Sequence, residues 1–389
     1  MKLTSSLNVR GELRRKRKSL PVRHEVKTEA SGFPGASSRL HGKIAGMAHQ
    51  SLYRSYRPHT FTDVIGQDQV TGSLAEQIRA ERVGHAYLFA GSRGLGKTSV
   101  ARIFARELGT TEKDLYEIDA ASNNSVDNIR SLTENIYTLP FESKYKVYIL
   151  DEVHMLSKGA WNAFLKTLEE PPAHALFILA TTELEKVPDT VRSRTQVFEF
   201  KKPSRVGLAK LISEVAKKEN YTLEPAAADL VALLAEGSYR DALSILEKVF
   251  SVSKDTTISL EEAETATGAP KRSLVMALVG ALSAGNGDGA LTSIRKASGH
   301  DVDMQLYLTL VLEALRTVLL IRHAPELRKE LAQESGNDEY AELEKIATDA
   351  SSKINHATLR VFLEAASRMR FSPIPALSLE LAVLELISN

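Results

Sequence analysis

Residues Gly91 to Thr98 read Gly-Ser-Arg-Gly-Leu-Gly-Lys-Thr and meet the pattern G-x-x-x-x-G-K-[ST] in full. Gly91, Gly94 and Gly96 allow backbone conformations that a Cβ forbids, so successive N–H groups can turn inward on an anion. A helix opening at Lys97 adds the partial positive charge of its N-terminus. Lys97 can reach terminal phosphates, and the Thr98 hydroxyl can ligate Mg²⁺. Gly91, Ser92, Arg93, Gly94, Leu95, Gly96, Lys97, Thr98 and Ser99 are therefore the expected phosphate-binding run. A chance glycine-rich turn would need no strand before it and no helix after it. Both are present, in His85 to Ala90 and in Lys97 through Ile103.

A second cluster stands where Val147-Tyr148-Ile149-Leu150 gives way to Asp151-Glu152. A buried strand ending in two carboxylates can hold a metal ion with the first and activate a water with the second. Asp151 is expected to support Mg²⁺, and Glu152 to be the general base. Asp151-Glu152-Val153-His154 also matches the DExH form of helicases, but nothing in the second half of the chain resembles a second α/β core. His154 is then a neighbour of the site or simply a helix-start residue, and is given no catalytic role.

Three further positions follow. The next strand ends at Ala180-Thr181-Thr182-Glu183, and Thr182 is the expected hydroxyl sensor of the γ-phosphate or the attacking water; capping threonines would look the same. Arg194, in Val191-Arg192-Ser193-Arg194-Thr195, is either a surface salt-bridge partner or a cation that serves a neighbouring subunit's phosphates. In Gly237-Ser238-Tyr239-Arg240-Asp241, Gly237 suits a left-handed helix end, Arg240 can fall over bound phosphates, and Asp241 suits a first helical turn.

The elements that must position these residues alternate from about Leu52 to Lys201. A helix is expected over Ile65 to Arg82, with Val70, Leu74 and Ile78 on one face. Strands are expected at 85–90, 115–119, 146–150, 176–180 and 196–200, with helices at 97–108, 125–136 and 159–168 between them. Such alternation implies a parallel α/β sheet. After Pro203 the strand signals disappear, and everything to the C-terminus reads as helix. The expected organisation is a basic, disordered extension over 1–49, a phosphate-loop α/β domain over 50–202, a helical lid over 203–255 and an all-helical domain over 256–389.

Composition bounds the rest. The chain has 389 residues, 43% hydrophobic and 25% charged, as soluble globular proteins do. It has no cysteine, which excludes a disulfide framework, a thiolate zinc site and a cysteine nucleophile. No apolar run is read as a membrane span, there is no secretory signal, and a cytoplasmic location is expected. The net charge of +1 is uneven: residues 1–50 hold 11 of the 50 basic and 3 of the 49 acidic side chains, including the run Arg14 to Lys18. The remainder is net acidic, so any nucleic-acid contact there needs a local patch. Met47 opens the more structured sequence, and an upstream start codon is one origin for the residues before it.

Several segments together resemble a known family. Tyr53-Arg54-Ser55-Tyr56-Arg57-Pro58, with Phe61, Val64 and Ile65-Gly66-Gln67, resembles the opening of AAA+ clamp-loader ATPases. GSRGLGKTS, EIDAASNNSVDNIR, KVYILDEVHMLSKGAWNAFLKTLEEPP, FILATTE, GSYRDALS and SPIPALSLELAVLEL are similar to segments of the bacterial DNA polymerase III gamma/tau family, over about residues 50–389. The resemblance implies an AAA+ fold followed by a lid and an oligomerising collar. It implies an ATPase that uses ATP and Mg²⁺ in a ring with copies of itself and with delta- and delta-prime-type subunits, loading a sliding clamp onto primed DNA. The assembly as a whole is a DNA polymerase, a nucleotidyltransferase, whose own active site this chain is not expected to carry.

By the same resemblance Lys97 and Thr98 bind phosphate and metal, Asp151 and Glu152 form the acidic pair, and Thr182 is the first sensor. Arg194 is the finger acting in trans, and Arg240 is the second sensor. Arg130 and Lys158 are expected to face DNA phosphates.

Three departures from the family pattern stand out. Residues 108–114 cross directly the gap where the family usually carries four cysteines, so no zinc is expected. Thr195 stands in place of the finger-motif cysteine. The chain ends with the third domain, which suggests a gamma-like form. The rival readings are a non-hydrolysing delta-type scaffold, against which the intact Lys97, Thr98, Asp151 and Glu152 stand, and a Holliday-junction-type remodeller, which the LKTLEEPP segment disfavours.

Overall fold

The computed structural model describes residues 51–388 apart from Lys254, His300, Asp301 and Gly336. The expected basic extension lies outside the described residues. The first elements are α1 (Leu52–Ser55), α2 (Asp68–Arg79), β1 (Ala86–Ala90), α3 (Lys97–Glu107), β2 (Leu115–Asp119) and α4 (Val126–Ile136). They are followed by β3 (Lys146–Asp151), α5 (Lys158–Glu169), β4 (Ala175–Thr181), α6 (Asp189–Arg192) and β5 (Gln196–Glu199).

The five strands form one parallel sheet in the order β2-β3-β4-β1-β5. Strands β1 and β4, and β3 up to Leu150, are buried along their length, as continuous apolar runs covered on both faces must be. One face packs on Leu74, Val100, Ala101 and Phe104 of α2 and α3. The other packs on Ile129, Trp161 and Phe164 of α4 and α5. Val100, Ile103 and Phe104 are wholly buried on α3. Each contributes about 1.5–3 kcal/mol to holding that helix on the sheet.

The helix boundaries follow caps rather than apolar spacing. Ser125 accepts from Asn128 N ahead of α4, and Ser157 accepts from Ala160 N ahead of α5. Helix α2 is shorter than the expected 65–82. Gly66 at φ +71° and the buried Gln67 precede it, and Gln67 Nε2 donates to Lys201 O at 2.7 Å, so its first residues serve as a tether.

Beyond the sheet lie α7 (Arg205–Lys218), β6 (Thr222–Leu223), α8 (Pro225–Leu234), α9 (Tyr239–Val252), β7 (Thr257–Ile258) and α10 (Leu260–Thr267). The pair β6–β7 corrects the expectation that strands end before Pro203; two residues are too few to show an alternation. Leu208, Ile212, Val231, Ala242, Leu246, Ala263 and Ala266 form a core of their own, which also takes Leu52 of α1.

The last elements are α11 (Arg272–Ala284), α12 (Gly287–Ser298), α13 (Met304–His323), α14 (Arg328–Ser335), α15 (Asn337–Thr348), α16 (His356–Met369) and α17 (Pro375–Ser388). They share a core built on Tyr307, Leu308, Val311, Leu315 and Val318 of α13. By length and composition α13 could cross a membrane, which the sequence reading did not anticipate. Its 20 residues instead form the central helix of this core, and half of its apolar window is buried in the protein.

Candidate active site

The sheet order brings the chemistry together. Strand β1 lies beside β4, and β4 beside β3, so the C-terminal tips of all three are neighbours. The phosphate-loop sequence leaves the tip of β1, Thr181 ends β4, and Asp151 ends β3. Ligand sites of open α/β sheets form at such carboxyl ends.

The loop after β1 has Gly91, Gly94 and Gly96 at φ +145°, +78° and +92°. A Cβ on Gly91 would stand 2.7 Å from Phe200 O, and one on Gly94 would overlap Ser238 Oγ. Lys97 is 6% exposed, and its Nζ donates to Gly91 O at 2.6 Å and Ser92 O at 2.9 Å. The side chain thus spans its own loop. Burial lowers its ammonium from the ordinary value, while Glu152 and Asp151 act to raise it. A buried cation short of anionic partners, set beside a glycine cradle, suits a phosphate group.

Thr98 Oγ1 donates to Asp151 Oδ2 at 2.7 Å. Two hard oxygen donors this close, one of them a carboxylate, suit Mg²⁺. Glu152 takes a left-handed backbone, φ +50°, and its N–H donates to Asp151 Oδ1 at 3.0 Å. A non-glycine residue held there costs about 1–3 kcal/mol, strain of the kind functional turns store. Thr182 Oγ1 donates to Glu152 Oε2 at 3.0 Å. Thr98, Asp151, Glu152 and Thr182 are thus brought together beside Lys97.

Arg240 stands at the start of α9, its guanidinium 5.8 Å from the Tyr53 ring centroid. That helix start is fixed on the phosphate loop. Tyr239 N donates to Gly94 O at 3.1 Å, and Tyr239 Oη donates to Ile65 O at 2.7 Å. Gly237 has φ +85°, and Ser238 caps α9 by accepting from Asp241 N. Between this helix, α7, the sheet tips and residues 53–65 lies a cavity of about 1210 Å³. Arg93, Gly94, Leu95, Gly96, Lys97, Thr98, Ser99, Asp151, Glu152 and Arg240 line it, and Tyr53, Tyr56, Leu211 and Leu243 extend it with apolar and aromatic surface. That mixture suits a triphosphate joined to a base.

Arg194 does not reach this cavity. Just beyond α6, its Nη2 pairs with Glu169 Oε1 at 2.7 Å and its Nη1 donates to Thr190 O at 2.8 Å. Thr195 Oγ1 donates back to Val191 O, which holds the turn. Arg130 and Lys158 lie on the neighbouring helices α4 and α5 and are both exposed; Arg130 makes a long contact to Asp127 at 3.6 Å.

Three groups have contacts that the sequence did not indicate. Arg57 Nε donates to Ser99 Oγ at 2.9 Å inside the cavity. Burial, with the Arg102 charge beside it, lowers the Arg57 guanidinium from its ordinary value. Arg102, one helical turn beyond Thr98, pairs with Glu117 of β2. His154 lies under the Glu152 turn, with its Nδ1 3.4 Å from Glu152 Oε2. Arg57 was visible in the YRSYRP run and His154 in the DExH match, but neither motif states a contact.

Three family models match the chain. "DNA polymerase III, delta subunit" covers residues 110–204, "DNA polymerase III clamp loader subunit, ATPase lid domain" covers 208–254, and "DNA polymerase III subunits gamma and tau domain III" covers 258–389. The chain is 36% identical to DNA polymerase III subunit tau of Bacillus subtilis over 87% of this chain and 63% of that one. It is 37% identical to subunit tau of Escherichia coli over 72% of this chain and 46% of that one. Against DNA polymerase III subunit gamma of Buchnera aphidicola it is 32% identical over 88% of this chain and 99% of that one. The chain thus spans 63% or less of the two tau relatives' length. A solved Thermotoga maritima RuvB Holliday junction branch migration motor aligns over 75% of this chain and 90% of that one, at 20% identity and a TM-score of 0.47.

Proposed function

The chain belongs to the DNA polymerase III gamma/tau subunit family, and from that premise we propose that it is the ATP-hydrolysing motor subunit of a clamp loader. It binds ATP and Mg²⁺, opens a sliding clamp and loads it onto primed DNA. The observation that carries this reading is the pairing of Thr98 with Asp151 and of Thr182 with Glu152 across three adjacent strand tips. A passive nucleotide pocket needs the first pair alone.

The roles divide as follows. The backbone of residues 91–98 and the Lys97 ammonium hold the β- and γ-phosphates. Thr98 and Asp151 would hold Mg²⁺, which supplies positive charge to the phosphate oxygens. Glu152 takes the proton of the attacking water, and Thr182 fixes the carboxylate that does so. Arg240 and Arg57 meet phosphate charge from the lid side and the N-terminal side of the cavity.

Residues 203–255 act as a lid on the nucleotide, and 256–389 as a collar that assembles the ring. In that ring Arg194 leaves Glu169 and serves the adjacent subunit's γ-phosphate. The partners are copies of this chain, delta- and delta-prime-type subunits, the clamp and primed DNA, in the cytoplasm. Arg130 and Lys158, exposed on adjoining helices, meet DNA phosphates.

A loading assay tests the reading. With delta-type partners, clamp, primed DNA and ATP, the chain should leave clamps topologically closed on circular DNA. A chain that assembles with those partners but loads at the same rate without ATP hydrolysis would be a scaffold. A chain that migrates branched junctions without a clamp would be a remodeller.

A further inference from the structure

Glu152 is held by more than Thr182. After β3 the backbone makes a short 3₁₀ turn over Val153–Met155, anchored by the wholly buried Val153. The turn folds the His154 side chain back beneath the strand tips, where it is 8% exposed. Its Nδ1 stands 3.4 Å from Glu152 Oε2 and 3.2 Å from Thr181 Oγ1, and its Nε2 stands 3.2 Å from Glu183 Oε1.

The partners fix the direction of these contacts. The Thr181 hydroxyl donates to Glu183 O at 3.2 Å, so it faces the ring with a lone pair. The carboxylates of Glu152 and Glu183 can only accept, so each ring nitrogen serves its carboxylate as a donor, which takes a proton on both. On the far side Glu183 is itself tied down: Lys186 Nζ meets its Oε2 at 2.7 Å, and its backbone N–H donates to Thr181 Oγ1 at 3.0 Å.

Both Thr182 and His154 address the same oxygen of Glu152, Oε2. Neither addresses Oε1, and Glu152 lines the cavity. A carboxylate pinned by one oxygen presents the other in a fixed direction, as a general base needs for one water molecule.

We propose that His154 is a positioning residue for Glu152: with Nδ1 it pins Oε2 jointly with Thr182, and through Nε2 it is itself anchored on Glu183. The proposal rests on the reading of Glu152 as the base. It touches no substrate atom, so its loss should slow turnover and leave nucleotide affinity unchanged.

The test compares four variants of the full chain, reading phosphate release, the Kd of a fluorescent ATP analogue and the melting temperature. His154→Ala and His154→Gln should lower kcat about tenfold, the scale of one lost polar contact to a carboxylate, with Kd within about twofold of wild type. His154→Asn places an amide nitrogen near the Nδ1 position. It should return kcat to within about threefold of wild type, whereas His154→Gln, which reaches only towards Glu183, should not.

Where His154→Ala melts early, the ratio of His154→Asn to His154→Gln decides alone. His154→Asn turning over no faster than His154→Gln overturns the proposal. So does His154→Ala at wild-type rate beside an inactive Glu152→Gln. Glu152→Gln turning over normally would instead overturn the assignment of the base.

Discussion

Thr98 Oγ1 and Asp151 Oδ2 stand 2.7 Å apart, joining the first turn of α3 to the tip of β3 across 53 residues of sequence. The bond ties the helix that follows the glycine loop to the strand that carries the acidic pair. Lys97, one residue before Thr98, is held in the same turn by Gly91 O and Ser92 O. Lys97→Ala removes the buried cation and leaves the glycine cradle intact. Nucleotide affinity should fall at least about 100-fold, since a lost charge-assisted bond costs about 1.5–3 kcal/mol and Nζ can make more than one. Equilibrium binding of a fluorescent ATP analogue measures this, and the melting temperature without nucleotide should change little.

Arg194 is paired with Glu169 on its own chain, outside the cavity at the strand tips. If it serves the neighbouring subunit, Arg194→Ala should leave nucleotide affinity of the isolated chain unchanged. It should cut the turnover of the assembled ring by about 10³-fold or more, the usual worth of such a residue. Mixing with wild-type chain should restore turnover in proportion to the wild-type share. Unchanged ring turnover would make the arginine a surface ion pair.

Asp114, wholly buried before β2, accepts from the backbone N–H groups of Phe141, Glu142 and Ser143. Burial acts to raise its carboxyl, but these bonds prevail and hold it at about 2, against an ordinary 3.8. The folded value is the depressed one, so the stabilisation is complete above about pH 4 and is lost as the pH falls towards about 2. Asp114→Asn cannot accept all three bonds. It should destabilise the protein by about 1–3 kcal/mol at pH 7 and flatten the acid limb of the stability profile. Urea unfolding between pH 2 and pH 7 checks both.

The site's chief members were legible because motif spacing encodes backbone geometry. A glycine pattern between a strand and a helix can form few loops, and a carboxylate at the end of an apolar run must stand at a strand tip. That located Lys97, Thr98, Asp151, Glu152 and Thr182 without coordinates. The lid's Gly237 at φ +85° was legible for the same reason.

Contacts between distant elements were not legible. Nothing local to Arg194 indicates Glu169, and nothing local to Asp114 indicates the N–H groups of residues 141–143. Arg57 appeared only within a resemblance, although its bond to Ser99 puts it in the cavity. His154 was set aside because its helicase reading failed, yet its neighbours across the strand tips are Glu152 and Glu183. The pair β6–β7 was missed because two-residue strands carry no periodicity.

Glu152 is the residue that would make this a hydrolytic site, and Glu152→Gln isolates its role. The substitution keeps the side chain's size and an oxygen that can accept from Thr182, and removes the base. The measurement is ATP turnover of the assembled loader with clamp and primed DNA, beside ATP affinity. Affinity should stay within about twofold of wild type and turnover should fall by about 10²–10⁴-fold, the usual contribution of a general base. Turnover at the wild-type rate would contradict that role.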